Sequence, residues 1–236
     1  VIEDKPTGRQ INFSHLLSYL LLMLSTLGIY VISEVIRFYL IAYELNSMFI
    51  SFCVGFILFT PLISLLLHPL LFSKESLKQR SPFSIMLKNI GLVMVIQCLF
   101  FLIWITDAVA VYSIYVDQDS FLAKAFNITK DNRADLTSHF YWGNLLLAWF
   151  FSLLSLVIGV LPCLIAQLNN QGVVKNFVMA ISFAKKNKSL FALYACVIAL
   201  ATVMPLLYAH YLFVITFPIT LFIIFFHLFR RYRIGI

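Results

Sequence analysis

The run LLSYLLLMLSTLGIYVI, residues 16–32, contains no charged side chain over a length that, as a helix, approaches the thickness of a bilayer's hydrocarbon core, about 30 Å. Runs of this kind recur. Residues 48–72, 90–116, 140–168, 189–209 and 211–229 repeat the pattern, each apolar enough and long enough to cross as an α-helix. In hydrocarbon no water is present to bond a free backbone amide, so a chain built this way must satisfy its backbone within helices. The composition agrees. With 62% hydrophobic and only 11% charged residues in 236, the chain has no polar coat for a water-soluble core and no length left for a separate soluble domain.

The expected fold is therefore all-α: a polytopic membrane bundle of six transmembrane helices with interfacial amphipathic helices, forming one domain over 1–236. The spans are placed at about 14–33, 48–72, 88–110, 140–166, 189–208 and 211–229, with an external loop at 111–139 and a cytoplasmic amphipathic segment at 172–188. The first run is long, follows Arg9 and lacks a small-residue cleavage site, so it is an uncleaved helix rather than a signal peptide. Residues 35–45 are expected as a short helix in the headgroup layer. Pro61 and Pro69 should kink or break the second span, Pro205 should break the fifth, and the fifth and sixth should form an antiparallel hairpin.

The charges orient these spans. The amino terminus, the 73–89 and 169–188 connections and the tail together hold thirteen of the seventeen basic residues, whereas the opposite side holds seven of the ten acids. By the positive-inside rule both termini are cytoplasmic. The cluster AKKNK at 184–188 then marks a cytoplasmic interface, and Lys175, Lys185, Lys186, Lys188, Arg230 and Arg231 are candidate contacts to anionic lipid headgroups. The net charge of +7 follows from topology, with membrane lipid as its natural partner and nucleic acid excluded.

Chemistry in such a chain should reside in polar groups at or near membrane depth. Glu34 and Arg37 lie three residues apart on one helical face, a spacing that permits a local ion pair at the far interface or a contact to a substrate or partner. Asp107, beside Thr106, falls about 28 Å of helix beyond Lys88, at the outer boundary, where a carboxylate serves as an anchor or as a proton or cation site. Gln97 stands at mid-depth in the third span, suited to an interhelical hydrogen bond or a substrate contact. His139 and His210 both lie toward the outside and are the pair to consider as axial haem ligands; neither shows the spacing of a metal bundle, and no metal site is expected. Cys53, Cys98, Cys163 and Cys196 fall in different spans without paired spacing and are expected as packing residues. The chain carries none of the common hydrolase, zinc-protease or nucleotide-binding signatures, so no catalytic residue is assigned.

In the carboxy-terminal third, VIGVLPCLIAQL is followed by a helix of pattern A-x-S-F-x-x-K-N (Ala180, Ser182, Phe183, Asn187), then a two-span hairpin and a basic tail. This order resembles a group of six-span bacterial inner-membrane proteins that includes the membrane domain attached to some glycerophosphodiester phosphodiesterases. The resemblance implies a six-helix inner-membrane bundle and carries over no catalytic residue. The leading function is a non-catalytic accessory, assembly, scaffold or lipid-interacting membrane protein without a cofactor, partnered by lipid and by another membrane protein or a second copy. A small transporter or permease subunit and a haem-bearing electron-transfer subunit are the alternatives.

Overall fold

The computed structural model describes residues 13–43, 45–68, 83–115, 133–168 and 172–234. Among them every regular element is helical. Six stretches are long and apolar enough to cross a membrane: Leu16–Ala42, Asn46–Leu65, Leu87–Ala110, His139–Leu168, Lys188–Tyr208 and His210–Arg233. The protein is thus an all-α membrane bundle, as its apolar runs require.

The first span is α1 (Phe13–Ala42), a single helix of 30 residues. The separate headgroup-layer helix expected at 35–45 does not form, because nothing in VISEVIRFYLIA breaks a helix and α1 runs through it to Ala42. The second span is the irregular one. A 3-10 turn (Asn46–Met48) leads into α2 (Phe49–Phe56), a second 3-10 turn (Ile57–Phe59) follows, and α3 (Thr60–Leu65) carries Pro61 in its first turn. Pro61 has no N–H to continue the α-ladder of α2, so the hydrogen-bond pattern changes just before it. Pro69 lies outside the described residues.

The third span lies in α4 (Phe83–Tyr115), a helix of 33 residues whose apolar stretch is Leu87–Ala110. The fourth is α5 (Arg133–Leu154), a π-helical segment (Ser155–Val160) and α6 (Leu161–Leu168). Helices enter the connection at 111–139 from both sides; residues 116–132 lie outside the described set. After α7 (Val173–Lys186) come α8 (Lys188–Tyr208) and α9 (His210–Ile234), which form the expected hairpin. Pro205 does not break α8. The helix continues to Tyr208, where the Ala209 amide bonds the Pro205 carbonyl at 2.9 Å.

The second span is the axis of the bundle, with 72% of its window buried, against 28% for the first span and 22% for the third. It packs on α1, α4, α5 and α8, while α1 leans on α9 and α4 on α5 and α6. The outer faces of α1 and α4 stay apolar and exposed, for example at Leu20, Leu24, Leu27 and Val31, which is the surface acyl chains cover. Some hydroxyls in the spans bond their own helix, as Thr26 does to the Leu22 carbonyl (3.1 Å) and Thr202 to that of Ile198 (2.8 Å). Of the cysteines, Cys53 and Cys163 are buried as expected, but Cys98 and Cys196 are exposed on the outer surface and do not pack in the core.

Candidate functional site

The polar residues gather at three levels. At the end of the bundle where α1, α4 and α8 finish, α1 projects Glu34 and Arg37 toward His210, the first residue of α9. Arg37 and Glu34 do not pair directly. The imidazole stands between them, its Nε2 bonded to the Arg37 guanidinium and its Nδ1 3.5 Å from Glu34 Oε1, longer than an ordinary hydrogen bond. Guanidinium has only donors, so His210 Nε2 accepts from Arg37. Phe49 meets the same ring edge-on at 6.2 Å. Arg37 also borders a cavity of about 360 Å³ together with Leu40, Ile41, Asn46, Tyr141 and Leu207.

At the same end, Asp107 and His139 border a separate cavity of about 240 Å³, with Trp104, Ala108, Gly143 and Asn144. Asp107 and His139 are exposed, whereas Asn144 and Trp104 are buried. Asn144 accepts from Ser51 (2.8 Å) and donates to the Phe140 carbonyl (2.9 Å), tying α5 to α2. The Trp104 ring fills the space over Gly55, where a Cβ would come within 2.8 Å of it, and its indole N–H has no partner. Thr106 does not assist Asp107, because its hydroxyl bonds the Leu102 carbonyl at 2.6 Å. His139 and His210 thus occupy different sites. Among the described residues no group of three or more His, Cys, Asp or Glu side chains is arranged to hold a metal ion.

At mid-depth, the π segment of the fourth span faces the break in the second. Gly159 lies against Pro61 and Gln97, so closely that a Cβ would overlap the proline ring and stand 3.2 Å from Gln97 Nε2. Gln97 is 5% exposed, and neither of its amide atoms has a hydrogen-bond partner. Thr60, Ser152 and Ser155 also carry buried hydroxyls without partners. The interhelical bond expected of Gln97 is therefore not made within the bundle.

At the opposite end, α7 lies along α6, the π segment, α4 and α8. Gly172, with φ of 92°, turns the chain into it through a conformation that side chains rarely tolerate. The face of α7 against the bundle is Asn176, Ala180 and Ala184, and Asn176 Nδ2 bonds Asn89 Oδ1 at 3.3 Å. Its apolar stripe points away. Val174 is 77% exposed, with Val178 and Ile181 on the same side and Lys175, Lys185, Lys186 and Lys188 exposed beside them. Arg230 and Arg231 are exposed near the end of α9. The apolar periodicity of 172–188 marks the helix, whereas the small-residue face that docks it carries no hydrophobic signal in the sequence. No protein-family model matches the chain, and no match was found among curated proteins or solved structures.

Proposed function

We propose that the chain is a non-catalytic, lipid-interacting scaffold or accessory protein of a bacterial inner membrane, with both termini cytoplasmic. The observation that carries the reading is the division of α7 into two faces. Asn176, Ala180 and Ala184 attach it to the bundle, while Val174, Val178 and Ile181 face outward between lysines. A helix anchored in this way presents an apolar stripe to the acyl boundary and ammonium groups to anionic headgroups. The basic residues concentrated at this end support a cytoplasmic placement. The resemblance of the carboxy-terminal third to six-span inner-membrane proteins favours the same compartment, and a membrane protein or a second copy is the partner proposed for the apolar faces of α1 and α4.

The test is limited proteolysis of inverted vesicles. Replacing Lys185, Lys186 and Lys188 by Gln removes roughly 1 kcal/mol of headgroup attraction per residue. The variant should insert normally and be cut within 172–188 faster than the parent in anionic vesicles, with the difference lost in neutral ones. Equal resistance of the two proteins in anionic vesicles would refute lipid docking and leave the bundle contacts as the whole attachment.

A second reading, a small transporter or permease subunit, is favoured by one observation: the broken second span abuts the π segment of the fourth beside an unpartnered, buried Gln97. Irregular helices flanking a polar group at mid-depth are how many transporters build a substrate site.

A further inference from the structure

The cavity beside Arg37 has a definite chemical character. Among the described residues Arg37 is the only charged one lining it, and Asn46 and Tyr141 add an amide and a phenol; Leu40, Ile41 and Leu207 make apolar walls. One guanidinium nitrogen is committed to His210, and no carboxylate lies within ion-pair range of Arg37 among the described residues. Glu34 is directed at the far side of the imidazole and is absent from the cavity wall. The remaining guanidinium donors form a planar fork matched to two oxygens of one anion.

The level of the cavity in the bundle selects the anion. Glu34 and Arg37 lie near the end of a helix that rises about 32 Å from Phe13 to Glu34, which is the thickness of the hydrocarbon core plus a little. Leu40 and Ile41 continue the same helix by one turn, and Leu207 comes from the end of α8. A cationic fork with two further hydrogen-bonding groups, set at headgroup depth and walled by aliphatic side chains, matches a molecule with an anionic head and an acyl chain. We propose that this cavity binds the phosphate of a membrane phospholipid, with the glycerol and upper acyl chain against Leu40, Ile41 and Leu207. His210 is a positioning residue for the site: wedged between Glu34 and Arg37, it fixes the direction of the guanidinium. The inference rests on the membrane assignment and is independent of α7, which lies at the other end of the bundle.

The experiment is photocrosslinking of the full chain in dodecyl maltoside micelles, which contain no phosphate. The probe is a phosphatidylglycerol with a diazirine in its acyl chain, and the crosslinked residues are read by peptide mass spectrometry. Crosslinks are expected at Leu40, Ile41 and Leu207, falling roughly tenfold in Arg37→Gln, as loss of a charge-assisted hydrogen-bond fork predicts. A diacylglycerol carrying the same diazirine should not label these positions. Leu207→Trp, which fills the cavity and keeps the charge, should also lose the crosslinks and decides the matter if Arg37→Gln does not fold. The Lys185, Lys186 and Lys188 triple variant should keep them, which separates this site from docking of α7. Equal labelling in parent, Arg37→Gln and Leu207→Trp, or equal labelling by diacylglycerol, overturns the proposal. Displacement by inorganic phosphate in modest excess assigns the cavity to a soluble anion and overturns it too.

Discussion

Gly159 packs directly against Pro61, so that a Cβ on the glycine would stand 2.7 Å from the Cβ of the proline ring. The contact joins the π segment of the fourth span to the break in the second, and the proline ring has no rotamer into which it can retreat. Gly159→Ala should therefore lower thermal stability in detergent by about 1–3 kcal/mol, the cost of overpacking a close-packed interior. Gly143→Ala is the control, since nothing lies within 4 Å of a Cβ there. Equal melting temperatures for the two variants would mean that the spans do not meet at this point.

Gln97 separates the two functional readings. Both amide atoms are buried without partners, so a residue of similar volume with no polar amide should relieve a desolvation cost. On the scaffold reading, Gln97→Met raises stability by about 1 kcal/mol and leaves the biological phenotype intact. A transporter would instead lose substrate flux in the same variant. Flux measured in vesicles alongside thermal melting distinguishes these outcomes.

The two faces of α7 should respond differently to substitution. Ala180 is fully buried against the bundle, so Ala180→Leu should release the helix to protease in any lipid. Val178 faces outward, so Val178→Ser should leave the protein intact in detergent and weaken attachment only in vesicles. Identical protease patterns for the two variants would contradict the assignment of faces.

Orientation is checked with single cysteines in a background where the four native ones are replaced. A cysteine at Asn187 or Arg231 should resist a membrane-impermeant thiol reagent in intact cells, and one at Asn127 should label. Labelling at Asn187 would reverse the topology.

Asp107 is exposed at the rim of its cavity, and its neighbour Thr106 bonds elsewhere. Asp107→Asn should therefore change stability by no more than about 0.5 kcal/mol, as for surface substitutions generally. Loss of activity at unchanged stability and expression would show that the carboxylate takes part in coupling, and unchanged activity would make it an interfacial anchor.

The apolar runs by themselves determined the class of fold, the number of spans and the hairpin at 188–234, because a bilayer admits few ways to satisfy a backbone and a run of about 20 apolar residues is one of them. The amphipathic helix at 172–188 was legible for the same reason, through periodicity. Tertiary structure alone decided what each polar residue does. Glu34 and Arg37 are neighbours in sequence, yet the group between them is His210, which lies far along the chain and arrives only when α9 packs on α1. Asn89 and Asn176 meet across two helices, and Gly159 finds Pro61 only because the π segment of one span abuts the 3-10 turn of another. Pro205 and Pro61 look alike in sequence, and only the folded bundle shows that one is absorbed into a continuous helix while the other follows a break. Hydrophobicity is a property of each segment alone, so it can be read locally. Hydrogen bonds, close contacts and cavities depend on which faces meet, and that is set by side-chain shape across helices that the sequence keeps far apart.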